Sequence, residues 1–205
     1  MKALIGKLHG DLIFDRRTRV LAEALTGLLP RDARVLDVGC GDGTIAGLCR
    51  TIRPDLHVEG IDVLVRPNTV IPVRPFDGKT LPFPDRSWDV VTFIDVLHHT
   101  EDPRDLLREA ARVARRYVII KDHRSETRLD HLTLSVMDWI GNAPHGVVLP
   151  YNYQSMQQWN DLFDDAHLSV DTTSTDVPLY VFPLNVVFGR KLHVLTRLCP
   201  DRVGT

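Results

Sequence analysis

The stretch Arg34-Val-Leu-Asp-Val-Gly-Cys-Gly-Asp-Gly-Thr-Ile-Ala46 decides the fold. Val35, Leu36 and Val38 form a short apolar run that reads as a buried parallel strand. Gly39, Gly41 and Gly43 stop it, and a helical pattern resumes at Thr44. Glycine has no Cβ, so the turn can be tight and a ligand can lie against bare backbone N–H groups. The following helix aims its positive N-terminus at that ligand. The expectation is a nucleotide-type cofactor site at the carboxyl end of a first strand.

Working outward, the chain alternates strand and helix. Leu12–Leu29 carries Val20, Leu21, Ala24, Leu25 and Leu28 at amphipathic helical spacing and stops at Pro30. A second helix runs from about Thr44 to Arg53. His57–Val63 is a second strand and Val70–Phe76 a third, with Pro72 and Pro75 pointing to a sheet edge. Trp88–Ile94 reads as strand four, Arg104–Ala114 as a helix, and Tyr117–Ile120 as strand five ending at Lys121-Asp122-His123. Helical pattern follows over Arg128–Ile140 (Leu132, Val136, Trp139) and Ser155–Ala166, then strands over Leu168–Thr175 and Leu192–Leu198. This alternation predicts an α/β fold, a doubly wound Rossmann-like architecture. Its seven-stranded sheet is mostly parallel, with helices on both faces. One domain over 1–205 is expected: an N-terminal helix (1–30), a cofactor-binding core (31–123), a substrate-covering insert (124–167) and C-terminal strands (168–205).

Two cofactors compete for the glycine turn. A dinucleotide fingerprint asks for G-x-G-x-x-G. Here the third position is Thr44 and the extra glycine comes early, at Gly43. Asp37 precedes the first glycine by two residues; a carboxylate facing the cofactor repels a pyrophosphate and suits a cation. Asp62 lies about 20 residues past the glycines, where an acid accepts from both ribose hydroxyls in either cofactor class. The pattern Asp37-x-Gly39-x-Gly41-x-Gly43 resembles motif I of the class I S-adenosylmethionine (SAM)-dependent methyltransferases. The run Leu81-Pro-Phe-Pro-Asp-Arg-Ser-Trp-Asp-Val-Val91 followed by Val96-Leu-His-His99 looks like the type-11 methyltransferase family. The resemblance covers Arg34 to Asp122. It implies SAM as cofactor, S-adenosylhomocysteine as product, and Asp37, Gly39, Gly41, Gly43, Asp62, Asp77, Gly78 and Asp95 as cofactor-binding positions. Asp77 is the one matched to the adenine amino group. The resemblance further implies that the N-terminal helix helps to cover the cofactor. It also implies that the insert between strands five and six holds substrate.

Composition narrows the partners. A net charge of −2 argues against a general nucleic-acid binder. Asp95-Val-Leu-His98 stands where nucleobase amino-methyltransferases carry an Asn- or Asp-Pro-Pro-aromatic motif, which argues against a base amino group as acceptor. Cys40, Cys49 and Cys199 show no C-x-x-C and read as reduced thiols of a cytoplasmic protein. No segment approaches the ~20 apolar residues of a membrane span. The uncharged stretch Val177–Gly189 reads as core packing or a subunit contact, as in a homodimer, with an apolar substrate wall as the sharper alternative.

Methyl transfer from a sulfonium is an in-line displacement in which the protein aligns acceptor, methyl and sulfur. An oxygen, nitrogen or acidic carbon acceptor can also need a base. His98 and His99 sit where strand four opens and are the candidate catalytic residues. Asn142, His145, Tyr151 and Tyr153 are candidate substrate contacts in a loop rich in turn formers, aromatics and amides; His123 is a weaker catalytic candidate. No metal is expected, because the histidines lack carboxylate or cysteine partners at ligand spacing. The expected function is methylation of a small molecule at oxygen or carbon, with an apolar metabolite as one candidate acceptor. The alternatives are a non-catalytic SAM-binding protein, an NAD-dependent oxidoreductase, and a protein or RNA methyltransferase.

Overall fold

A computed structural model describes residues 2–142, 150–182, 184–189 and 192–201. Seven strands form one sheet in the order β3-β2-β1-β4-β5-β7-β6. They are β1 (Arg34–Val38), β2 (His57–Asp62), β3 (Val73–Pro75), β4 (Trp88–Ile94), β5 (Ala114–His123), β6 (Leu168–Ser174) and β7 (His193–Pro200). β1 pairs in parallel with β2 and β4, and β3 and β5 extend the parallel set. β7 is antiparallel to both β5 and β6. The strand order reverses between β1 and β4, and crevices outside the carboxyl ends at such a switch point are where open α/β sheets bind ligands.

Helices cover both faces, and the alternation along each strand says which. Val35 of β1, Val90 of β4 and Ile119 of β5 share one core with Leu21 and Leu25 of α1 (Lys2–Leu28) and Ala46 and Cys49 of α2 (Thr44–Ile52). Leu36, Val38, Val91, Phe93, Val118 and Ile120 point the other way. There they meet Leu107 and Ala110 of α3 (Arg104–Val113) and Trp159 and Phe163 of α5 (Met156–Asp165). Side chains alternate faces at period two, so both faces of a buried strand must be apolar, which is why these strands read as continuous hydrophobic runs.

Boundaries depart from the sequence expectations at several elements, and α1 begins at Lys2, ahead of the expected Leu12. The third strand shortens to Val73–Pro75, since Pro72 and Pro75 cannot donate to the ladder. β5 begins at Ala114, directly after α3, three residues before the expected start at Tyr117. A further short helix, α6 (Leu184–Phe188), lies within the uncharged stretch. Of that stretch, Val177 and Leu179 join the core beside α1, whereas Val181, Phe182 and Val186 are exposed.

α4 (Arg128–Asn142) is helical as its periodicity predicts, but the stripe that gives the periodicity faces outward. Leu129, Leu132, Val136 and Trp139 are exposed, Trp139 by 61%, while Leu134 and Asp138 are buried. α5 starts with a reciprocal capping box: Ser155 accepts from the Gln158 N–H and the Gln158 side chain accepts from the Ser155 N–H.

Candidate active site

The glycine turn follows β1 and enters α2. Gly39, Gly41 and Gly43 all have positive φ, at 71°, 60° and 79°, a region that side chains rarely adopt. Two reasons for glycine separate here. A Cβ on Gly39 would lie 2.6 Å from Val96 Cγ2, and one on Gly43 2.4 Å from Ile71 Cγ1, so internal packing excludes side chains. A Cβ on Gly41 would meet nothing within 4 Å among the described residues. Its backbone faces open space, the condition for a ligand to rest on it.

Asp62 ends β2 and reaches back to this turn. Its Oδ2 accepts from the Gly41 N–H at 2.8 Å and its Oδ1 from the Leu64 N–H at 2.8 Å. Each carboxylate oxygen has two lone pairs, so both can still accept from a diol. Asp77 is exposed, with Oδ1 accepting from the Lys79 and Thr80 N–H groups. These donors hold its carboxyl below the usual range. Gly78 follows with φ of 80°.

Asp37 corrects the expectation of a carboxylate facing the cofactor. It is 3% exposed, and Thr92 is its register partner on β4. Both point into the α1–α2 face, where the Thr92 hydroxyl donates to Asp37 Oδ1 at 2.8 Å. Burial pushes the Asp37 carboxyl up to about 7, against the opposing hydroxyl bond.

The second half of the site is a buried polar hub where β4 and β5 end. Asp95, in left-handed backbone at φ 57°, accepts from Lys121 and from Arg17 of α1. Lys121 is fully buried. Burial opposes the Asp95 charge, but the Lys121 and Arg17 cations overcome it and hold the carboxyl below its ordinary range. Asp95 is therefore engaged by two protein cations, whatever further contact it makes to a cofactor.

After Asp95 a 3-10 turn, Leu97–His99, presents both histidines. His98 is buried between two carboxylates, with Nδ1 2.6 Å from Asp122 Oδ1 and Nε2 3.3 Å from Asp138 Oδ2. The second contact is an ion-pair separation without aligned hydrogen-bond geometry. Burial disfavours the His98 charge, yet the two carboxylates win and push the ring up to about 10. His99 is half-buried with Nδ1 enclosed and without a hydrogen-bond partner, and burial beside His98 pushes it down. Asp122 also accepts from the Leu97 N–H at 2.9 Å and the His123 N–H at 2.7 Å.

The insert closes over this hub. The Asn152 N–H donates to the His98 carbonyl at 3.3 Å, and its side-chain amide donates to the carbonyls of Thr100 and Glu101. Tyr153 stacks on His98 with ring centroids 5.6 Å apart and donates its hydroxyl to Asp138. Tyr153 was expected at the substrate; it is buried, and its hydroxyl is committed to a protein carboxylate. Tyr151 is half-buried beside it. Asn142 is the last residue of α4, and His145 lies outside the described residues.

Sequence reasoning missed Asp122, Asp138, Lys121 and Arg17. A signal was present: Lys121-Asp122-His123 directly continues the apolar run Val118–Ile120, and three consecutive polar residues at the end of a buried strand place charge on both sheet faces. The structure also corrects the metal argument. His98 and His123 do share a carboxylate, Asp122, and the ligand-type atoms of the three lie within 4.8 Å of one another.

A parallel sheet with a glycine turn at its switch point, an open backbone at Gly41 and an acid at the end of β2 defines an α/β protein built for a nucleoside-bearing cofactor. Residues 11–173 match the family described as Methyltransferase domain, and the chain belongs to that family, among the class I SAM-dependent methyltransferases. Its cofactor is SAM. Over 116 residues, 49% of this chain and 42% of the relative, it is 34% identical to 27-O-demethylrifamycin SV methyltransferase of Amycolatopsis mediterranei. Over 91 residues, 40% of this chain and 33% of the relative, it is 37% identical to a fatty-acid O-methyltransferase of Mycolicibacterium smegmatis. The chain thus spans less than half the length of these curated relatives. A crystal structure of a SAM-dependent methyltransferase from Thermotoga maritima superposes with a TM-score of 0.65 at 18% identity, covering 98% of this chain and 97% of that one, and shares its fold.

Proposed function

We propose that this protein is an enzyme that transfers the methyl group of SAM to an oxygen of a small, largely apolar molecule. The open backbone above Gly41, with Asp62 bonded to the same glycine, carries the reading: it is a surface on which a nucleoside can lie with its ribose at an acid. Two relatives, one named 27-O-demethylrifamycin SV methyltransferase and one named fatty-acid O-methyltransferase, support the oxygen acceptor and its apolar carrier.

In this reading the adenosine lies along the carboxyl ends of β1, β2 and β3, Asp62 accepts from the ribose, and Asp77 is the acid nearest the adenine side. The turn after β4 then faces the methyl group. Of its two histidines, His98 is enclosed and engaged by carboxylates at both ring nitrogens, whereas His99 keeps a partly exposed ring. We assign proton removal from the acceptor hydroxyl to His99, a step worth roughly 10²–10⁴-fold in rate. His98 holds the turn in place.

The test is transfer of labelled methyl from SAM into fractionated extract of the source cells, repeated with His99→Gln. Label in an apolar small-molecule fraction, lost in the variant while S-adenosylhomocysteine still binds, is the expected result. Label in protein or RNA would overturn the substrate class, and full rate in the variant would overturn the role of His99.

A further inference from the structure

The polar hub contains more ligand chemistry than proton transfer needs. His98 Nδ1, Asp122 Oδ1 and His123 Nδ1 converge on one point. Their separations are 2.6 Å for His98 to Asp122, 3.6 Å for His123 to Asp122, and 3.5 Å between the imidazole nitrogens. A point about 2 Å from all three atoms exists, which is the length of a zinc–nitrogen or zinc–carboxylate bond. The His98 and His123 rings stand edge to face, 83° apart, and do not stack on each other.

We propose that His98, Asp122 and His123 form a binding site for a zinc-type divalent cation. Two borderline imidazole nitrogens beside one hard carboxylate oxygen suit zinc and its transition-metal neighbours, in contrast to the all-oxygen sets of calcium and magnesium. Binding of the cation releases to solvent the proton that His98 Nδ1 shares with Asp122 Oδ1; each histidine then coordinates through Nδ1 as a neutral ring and carries its remaining proton on Nε2. Asp122 Oδ1 already accepts the His123 N–H at 2.7 Å and keeps a second lone pair for the cation.

A second observation points the same way. A metal-bound histidine almost always donates its other ring N–H to a carboxylate, which fixes the tautomer and orientation. Asp138 Oδ2 stands 3.3 Å from His98 Nε2, within reach of that bond once the ring turns to align it, and Asp138 itself accepts from the Tyr153 hydroxyl. Asp138 lies on α4 and Tyr153 follows in the segment before α5, so the hub gathers these supports from separate parts of the chain. Asp95 Oδ1 stands 3.7 Å from His123 Nδ1 on the other side, held by Lys121 and Arg17. The three ligands are buried, and a cation on them would tie the β4 turn to the end of β5 and keep one coordination position for a further donor.

The experiment uses the full chain without a histidine tag, charged with Zn2+ and then exchanged into metal-free buffer. The expected result is one zinc per chain by atomic emission, and intense visible absorption when Co2+ replaces it. Asp122→Asn and His123→Gln, each checked for native circular dichroism, should weaken zinc at least tenfold. Trace zinc in the unaltered protein, or equal zinc in folded variants, would overturn the proposal. Should both variants fail to fold, the cobalt spectrum of the unaltered chain decides: no low-symmetry band means no site. None of these readouts depends on methyl transfer, so the proposal stands or falls apart from the catalytic reading.

Discussion

The two ends of the crevice are built on opposite principles. At the β1–β2 end, the glycine turn is backbone: three glycines of positive φ and one acid accepting two main-chain N–H groups. At the β4–β5 end, the walls are buried charge: Asp95 with Lys121 and Arg17, and Asp122 and Asp138 with His98. A backbone site costs little to keep dry, because its groups are neutral and mostly paired. A site of buried ions holds only while every partner stays, since removing one strands the rest in low dielectric. The difference teaches where each end is fragile: the first in its steric fit, the second in its charge balance.

The sharpest way to break the comparison is Asp122→Ala. It strips one carboxylate from His98 and the acceptor from two backbone N–H groups, and should cost about 3–5 kcal/mol, the usual loss when one partner of a buried ion pair is deleted. A urea midpoint near that of the native chain would show the hub to be expendable. Steric fit comes next. Gly43→Ala places a methyl 2.4 Å from Ile71 in left-handed backbone and should cost about 2–3 kcal/mol, whereas Gly41→Ala meets open space and should cost about 1 kcal/mol while weakening cofactor binding. Equal destabilisation of the two would erase the distinction between a packing glycine and a ligand-facing one.

Asp37 tests charge at the backbone end. Its folded pKa, raised to about 7, lies above the unfolded carboxylate value, so the folded state binds the extra proton between roughly pH 4 and 7 and stability falls as pH rises through that window. Asp37→Asn keeps an acceptor for the Thr92 hydroxyl and cannot ionise. Its stability should exceed that of the native chain above pH 7 by about 4 kcal/mol and converge with it near pH 4. Parallel pH curves for the two proteins would reject the assignment. The smallest effect is on binding: Asp62→Ala should weaken S-adenosylhomocysteine at least tenfold, about 1.4 kcal/mol, by calorimetry. Unchanged affinity would remove the ribose from Asp62.

The asymmetry also explains what could be read in advance. Strands β1, β2 and β4 and the glycine turn were legible because their signals are local: an apolar run, a break and an acid at fixed spacing. The seven-stranded α/β architecture followed from the alternation of such signals, and the structure has it. The hub was not legible, because Asp122 and Asp138 acquire meaning only when β5 and α4 bring them to His98, and no spacing in the chain records that meeting. Tyr153 was singled out as a loop aromatic, but its environment comes from Asp138 on the preceding helix. α4 shows the limit of periodicity itself. The spacing of Leu132, Val136 and Trp139 specifies a helix and says nothing of which way it faces. Asp37 was misplaced for a similar reason: its face is set by the register with Thr92, a pairing across strands.

The bond from Gly41 N–H to Asp62 has a consequence for how this site can be dissected. The acid assigned to the ligand also braces the loop assigned to the ligand, so substitutions at the two positions do not report independent increments. In a double-mutant cycle of Asp62→Ala with Gly41→Ala, the combined loss of affinity should fall short of the sum, because the first change already loosens the loop that the second distorts. Affinity at this end of the sheet is a shared property of the pair, with no portion belonging to either residue alone.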